Sequence, residues 1–380
     1  MQTPVKILIA VLAVLVVGCG CVLGWAYNTY KSIGNDPTAA FSDQPTTSAD
    51  VVQVTDSSGN VQTVKRDTNS YNILLLGIDS NAEREAQSKG KRSDMLMLCT
   101  INFSDNTVHL TSIPRDSYAH IYKLDTSGKV VSDYYSKLTN AYSVGGRDVY
   151  FGAENSMKCV SELLSCDGKL SVPINMYFSI DMDGITSLCD VMGGVKVTLT
   201  EDLPKMTAKG GNPTGEYYGR KGDTITLNGE SAEVFVRMRH AYSGGDFTRT
   251  KHQQQFMIAL AKKIKEMGGA KAITTLFPKL TQFAKTNITV DQAIALASIL
   301  DDIDIDDIQY QTLKGTPTTK NGSSVVVLDK DFMYNYILSI MYGFNNKDAS
   351  ASASASPSSD TMLSQSQINA NKSAEAADGN

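Results

Sequence analysis

The sequence predicts an α/β fold: an α-β-α sandwich around a mixed central sheet, preceded by one transmembrane helix. Three observations predict it. Continuous aliphatic runs such as that in Asn72–Gly77 read as strands covered on both faces, because a strand with one wet face alternates polar and apolar residues. These runs alternate with segments of helical periodicity, the pattern of helices packed on a sheet. The stretch from Ile7 to Tyr27 carries no charged residue and is long enough to cross about 30 Å of hydrocarbon as a helix.

Taken in order, residues 1–6 read as a short cytoplasmic tail, and residues 7–30 as the membrane helix, with Trp25, Tyr27 and Tyr30 suited to the far interface. A tail this short stays inside, which places the rest of the chain outside: a single-pass protein of the cell membrane with an extracellular domain. A cleaved signal peptide fits less well, since the run is too long and no small-x-small site follows it. Lipoprotein processing at Cys19 fits poorly too, because the run continues past that residue. Residues 31–70 are rich in Ser, Thr, Asp and Gln and read as an extracytoplasmic linker, with a short hairpin at Val51–Val54 and Val61–Val64.

The compact domain is expected at residues 71–344. Met95–Ile101 and Thr107–Ile113 read as strands joined by a Ser-Asp-Asn turn, and Asn175–Ile180, Val195–Leu199 and Ser323–Leu328 as further strands. Helices are expected at Gly152–Leu164, Met182–Met192, Gly229–Arg237 with Asn228 as cap, and Thr250–Met267. From Asn345 the chain turns to Ala/Ser alternation, so residues 345–380 read as a disordered tail.

The net charge of -5 argues against a general nucleic-acid binder, so any basic site must be local. Six cysteines show no metal-type spacing; Cys99 and Cys189 sit in apolar runs and read as core. Cys159 and Cys166 lie seven apart, which on a continuous helix means roughly 10 Å, too far to bridge unless the helix ends first. The four histidines show no HxxxH spacing, and neither a G-x-S-x-G elbow nor a P-loop occurs.

Four segments concentrate chemistry. Gly77-Ile-Asp79-Ser ends an apolar strand, where ligands collect in open α/β sheets; Asp79 there is a loop cap or a hard-cation ligand. Lys91-Arg92-Ser93-Asp94 opens the next strand. If the two strands are neighbours, Asp79 and Asp94 approach each other, and two carboxylates with phosphate oxygens hold Mg²⁺ or Mn²⁺; a surface ion pair of Arg92 is the plainer alternative. Ile113-Pro-Arg115-Asp116 again follows a strand, with Pro114 aiming the next two side chains. The fourth runs from Val236 through Arg237, Met238, Arg239 and His240 to Gly244-Gly-Asp246-Phe-Thr-Arg249, with Gln253 one helical turn on. Arg237 and Arg239 share a face if this stretch is extended, and Arg249 and Gln253 share a helix face. Asp246 or Thr248 falls near the helix N-terminus. Three arginines behind a Gly-Gly approach suit a bidentate grip on phosphate oxygens.

In this order the segments resemble the LytR-CpsA-Psr family of cell-wall phosphotransferases. The resemblance is carried by NILLLGID, KRSDMLML, LTSIPRDSY, KLTNAYSVGG, the stretch Asp181–Val195, LNGESAEVFVRMRH and GDFTRTKHQQQ, from Tyr71 to Gln255 and onward toward Gly343. It implies an enzyme that takes a glycopolymer from a polyprenyl-diphosphate carrier and joins it, with its proximal phosphate, to a peptidoglycan hydroxyl. Teichoic acids and capsular polysaccharides are the usual cargo. By motif position Asp79 and Asp94 hold Mg²⁺, while Arg92, Arg115, Arg237, Arg239 and Arg249 bind the diphosphate with help from Gln253. Asp116 orients Arg115, Lys137 lies near the site, and Asp246 orients or deprotonates the acceptor hydroxyl. Asn81 stands where the family usually carries Arg, leaving Arg84 or Lys91 to substitute. A lipid-diphosphate hydrolase using water as acceptor, or a non-catalytic polyprenyl-phosphate-binding regulatory protein, would keep many of the same residues.

Overall fold

The computed structural model describes residues 40–41, 46–56, 58–79, 91–145, 149–207, 212–268, 272, 276, 279–280 and 282–344. The expected membrane helix at 7–30, the tail at 345–380 and positions 81 and 84 lie outside the described residues; among those described, no helix is long and apolar enough to cross a membrane.

The first strands among the described residues form the hairpin expected in the linker, β1 (Val51–Thr55) paired antiparallel with β2 (Val61–Lys65). It is not free spacer. Arg66 donates to Asp50 at 2.5 Å with both side chains almost wholly buried, and the Tyr342 hydroxyl donates to the Ala49 carbonyl at 2.6 Å. Polar composition concealed this attachment: a buried ion pair looks like linker in sequence.

There follow β3 (Ser70–Asp79), β4 (Arg92–Asn102), β5 (Thr107–Ser112), β6 (Tyr118–Leu124), β7 (Val130–Lys137), α1 (Asn140–Ser143), α2 (Val149–Leu164), β8 (Met176–Asp181), α3 (Met182–Val191), β9 (Val195–Thr198), β10 (Leu203–Met206), β11 (Pro213–Gly219), β12 (Thr224–Leu227), α4 (Gly229–Arg237), α5 (Asp246–Glu266), β13 (Ala284–Thr286), α6 (Val290–Asp302), β14 (Gln309–Thr312), β15 (Gly315–Lys320), β16 (Ser323–Leu328) and α7 (Lys330–Tyr342). The central sheet has six strands in the order β13-β8-β3-β4-β5-β14. It is mixed, as the sequence predicts: β3 runs parallel to β8 and β5 to β14, and the other neighbours are antiparallel.

Both faces of β3 are covered because its side chains alternate. Leu74, Leu76 and Ile78 pack with α2 and α7 through Val160, Leu164, Ile337 and Met341. Ile73 and Leu75 pack on the other face with Ala295 and Ile299 of α6. A third cluster joins β8, α3, α4 and α5 around Ile180, Leu188, Phe235 and Phe256.

The capping box at Asn228 forms, and α5 starts four residues before the expected Thr250. Helix α2 ends at Leu164, between Cys159 and Cys166, yet both thiols are free and buried; burial pushes each up to about 11. Cys189 is core as expected, whereas Cys99 is only partly covered.

Candidate active site

The site grows from an irregularity in the β3–β4 pairing. Gly77 pairs with Met95, but Ile78 pairs with Ser93 and Asp79 with Arg92. Asp94 is therefore an extra residue in β4, a bulge of the kind that re-aims a side chain at a strand end. Asp79 and Asp94 do come to the same end of neighbouring strands, and Arg92 sits directly across from Asp79.

Arg115, placed by Pro114 after β5, donates from Nη1 to Asp94 Oδ1 at 2.8 Å. The turn holding it is pinned: Thr139 N donates to the Arg115 carbonyl at 2.8 Å and Val326 N to the Asp116 carbonyl at 2.8 Å. Asp116 spans Arg115 at 3.9 Å and Lys137 Nζ at 3.6 Å. From the first turn of α5, Arg249 Nη2 reaches the Asp94 carbonyl at 3.3 Å and Asp246 Oδ1 at 2.5 Å. Arg237 donates to Asp79 at 3.2 Å and to Glu233 at 2.9 Å. One cluster thus gathers Asp79, Asp94, Arg115, Asp116, Lys137, Arg237, Asp246 and Arg249.

Two expectations need correction. Arg237 and Arg239 do not alternate along a strand: Arg237 is the last residue of α4, and Met238 turns extended behind it. The helix continues to Arg237 because the Val234 carbonyl still finds the Met238 N–H. Gln253 does not present its amide nitrogen to the cluster; it is buried and donates to the Val236 carbonyl at 3.2 Å, fixing the last turn of α4 against α5. Glu233 was not foreseen. A carboxylate in a helix reads as solvated surface, and the only signal was its i,i+4 spacing to Arg237.

The electrostatics keep Asp94 and Arg115 charged. Burial pushes Asp94 up, but the guanidinium groups of Arg115, Arg249 and Arg239 outweigh it and hold the carboxyl below its ordinary range. Burial likewise disfavours the Arg115 cation, and Asp94, Asp116 and Asp246 overcome that. Arg239 is thereby tied to the cluster through its field on Asp94.

A divalent ion fits the donor set only with help. Among the described residues no group of three or more His, Cys, Asp or Glu side chains could hold a metal. Asp79 and Asp94 remain reachable, with side chains 14% and 22% exposed. Two carboxylates completed by substrate phosphate oxygens are what Mg²⁺ accepts.

Beside the cluster opens an apolar neck lined by Gly77, Met95, Val236 and Phe256. It shares Phe178 with a cavity of about 200 Å³ walled by Ile264, Leu276, Leu280, Leu296 and Leu300. A cluster of paired Arg and Asp side chains beside an oily neck is an arrangement that suits an amphiphile with a charged head.

The sequence profile of the LytR_cpsA_psr family matches residues 30–337. The chain belongs to the LytR-CpsA-Psr family. Among its relatives in that family, the polyisoprenyl-teichoic acid–peptidoglycan teichoic acid transferase TagU of Bacillus mycoides is 33% identical over 286 residues, covering 75% of this chain and 79% of the relative. The transferase of the same description, TagV, of Bacillus subtilis is 29% identical over 229 residues, 60% of this chain and 52% of that protein. Among solved structures, protein gbs0355 of Streptococcus agalactiae superposes with a TM-score of 0.57 at 25% identity, over 76% of this chain and 96% of that one. B. subtilis TagV gives 0.53 at 24% identity, over 72% and 98%, a likeness of fold. LytR-CpsA-Psr membership accounts for the order of the Arg/Asp segments on this sheet.

Proposed function

We propose that this chain is a membrane-anchored, extracytoplasmic phosphotransferase that moves a glycopolymer from a polyprenyl-diphosphate carrier to a peptidoglycan hydroxyl, forming a phosphodiester. The observation that carries the reading is the junction at Gly77 and Met95: the arginines around Asp94 on one side, the apolar neck and cavity on the other. A diphosphate head with a prenyl tail matches both halves. The relatives' names supply the cargo class, a teichoic acid, and the acceptor. Family membership makes the chain an enzyme of the transferase class. The uncharged run at residues 7–30 supplies the anchor and places the site where a lipid carrier in the bilayer is reached from outside.

The acceptor hydroxyl oxygen attacks the phosphorus that bears the glycan. The bond from that phosphorus to the bridging oxygen breaks, and polyprenyl phosphate leaves with that oxygen. Such transfers need positioning and charge neutralisation more than covalent help. Arg115, Arg239 and Arg249 take the charge on the non-bridging oxygens, and Arg92, Arg237 and Lys137 stand around them. Asp116 braces Arg115 and Lys137. Asp246, 47% exposed at the start of α5, receives the acceptor's proton. Asp79 and Asp94 would hold Mg²⁺ or Mn²⁺, which when bound neutralises phosphate charge.

The test uses the full chain in detergent with a polyprenyl-diphosphate saccharide and Mg²⁺, with and without peptidoglycan fragments. Polyprenyl phosphate release that requires the fragments, with glycan covalently attached to them, is expected. Equal release without fragments, and no attached glycan, means hydrolysis and overturns the transferase reading.

A further inference from the structure

The β6–β7 hairpin leaves the active site at Asp116 and Lys137. Its register pairs Tyr118 with Lys137, His120 with Tyr135 and Tyr122 with Asp133, so these side chains share one face. The opposite face of β6 sends Ala119 and Ile121 into the core; on the aromatic face Tyr122 packs partly against that core, while Tyr118 and His120 stay half-buried and line the groove. Tyr135 is 58% exposed. Its ring centroid lies 5.4 Å from that of Tyr118 and 5.2 Å from that of His120, against which it stacks. The two ring nitrogens of His120 lie 2.8 Å from Asp133 and 2.9 Å from Glu162, fixing both carboxylates beside the rings. Across a groove of about 460 Å³, Asp167 and Lys330 pair at 2.7 Å.

Aromatic faces flanked by fixed carboxylates and an ammonium match the two chemistries of a saccharide. Ring C–H groups stack on the aromatic surface, and hydroxyl and acetamido groups exchange hydrogen bonds with the charged rim. We infer that this groove is a saccharide subsite that seats the acceptor glycan strand, with Tyr135 as its stacking platform.

The assignment to the acceptor rests on the transfer reading above and on where the groove lies. The apolar neck is walled by α3, α4 and α5 through Ile185, Val236 and Phe256. The hairpin instead packs with α2 in the cluster on the other face of β3. In phosphoryl transfer the attacking and leaving oxygens lie roughly in line. A lipid phosphate departing toward the neck therefore leaves the hydroxyl to arrive from the hairpin side, over Arg115, whose charge Asp116 and Asp246 both sustain.

The probe is tetra-N-acetylchitotetraose, a β-1,4-linked amino-sugar oligomer without phosphate or lipid, titrated into the full chain in detergent and followed by calorimetry and saturation-transfer NMR. The wild type and Tyr135→Phe bind it, and Tyr135→Ala weakens binding roughly tenfold. In the transfer assay Tyr135→Ala raises KM for peptidoglycan fragments by a similar factor and leaves KM for the lipid donor unchanged. Unaltered probe binding by Tyr135→Ala overturns the subsite. A rise in donor KM in place of acceptor KM overturns its assignment to the acceptor. If the probe binds through Tyr135 while no glycan is ever transferred, the saccharide groove stands and the transfer reading falls.

Discussion

Replacing Arg115 separates what the site does for stability from what it does for chemistry. Arg115 and Asp94 meet at 2.8 Å with side chains 18% and 22% exposed. Truncating one partner of a fully buried pair costs about 3–5 kcal/mol. Here each group keeps some solvent, and Asp94 still feels Arg249 and Arg239. Arg115→Ala should therefore cost about 2 kcal/mol, or roughly 4–8 °C in Tm for a domain of this size. Arg115→Lys keeps a cation near Asp94 and should cost under about 1 kcal/mol. The planar fork is lost in both, so both should lower the rate of polyprenyl phosphate release by about 10²–10³. Thermal denaturation measures the first quantity and release of the lipid product the second. A Lys variant that turns over at the wild-type rate refutes the bidentate role. An Ala variant with wild-type Tm refutes the assignment of Asp94 and Arg115 as a stabilising pair.

Three further expectations follow from individual groups. The folded carboxyl of Asp94 lies below its ordinary value, so its ionised form adds stability above about pH 3.9, and that contribution is lost as pH falls through the folded value. The stability gap between wild type and Asp94→Asn should therefore narrow on acidification below about pH 4, and a gap that widens there contradicts the charge balance. A Cβ on Gly77 would sit 2.9 Å from the Met95 Cβ, and both residues line the neck; Gly77→Ala should cost about 1–3 kcal/mol and weaken polyprenyl phosphate binding, which a binding titration checks. His120 is raised by its hydrogen bonds to Asp133 and Glu162 against burial. Its stabilisation is present below about pH 6.5 and lost as pH rises through the folded value, so the Tm advantage over His120→Gln should be largest in mild acid and fade in mild base.

Much of the scaffold was legible because burial on both faces writes a simple signal. The aliphatic run of β3, the β4–β5 hairpin and the cap of α4 follow from residue type and spacing alone. So did the Arg/Asp segments, since charged residues beside apolar strand ends are conspicuous. What escaped depends on backbone irregularity or on partners distant in sequence. Nothing in Ser93-Asp94-Met95 announces a bulge; only the pairing with Gly77 and Ile78 creates it. Glu233 gains its role from Asp79, a residue far from it in sequence to which Arg237 links it. The hairpin of β6 and β7 mixes Tyr, His, Lys and Asp, a composition without strand periodicity until one face meets the core and the other a groove. Three-residue β13 and four-residue β14 are strands only because the sheet edges recruit them.

The proposed reaction needs the charged cluster and the oily neck to meet at Gly77 and Met95 around a lipid diphosphate. A crystal structure of the chain with polyprenyl phosphate tests it most directly. The phosphate is expected within hydrogen-bond reach of Arg115, Arg239 and Arg249, with the prenyl chain passing Gly77 and Met95 toward Phe178 and Leu280. A phosphate bound away from these arginines, or a prenyl chain lying outside the neck, would contradict this arrangement.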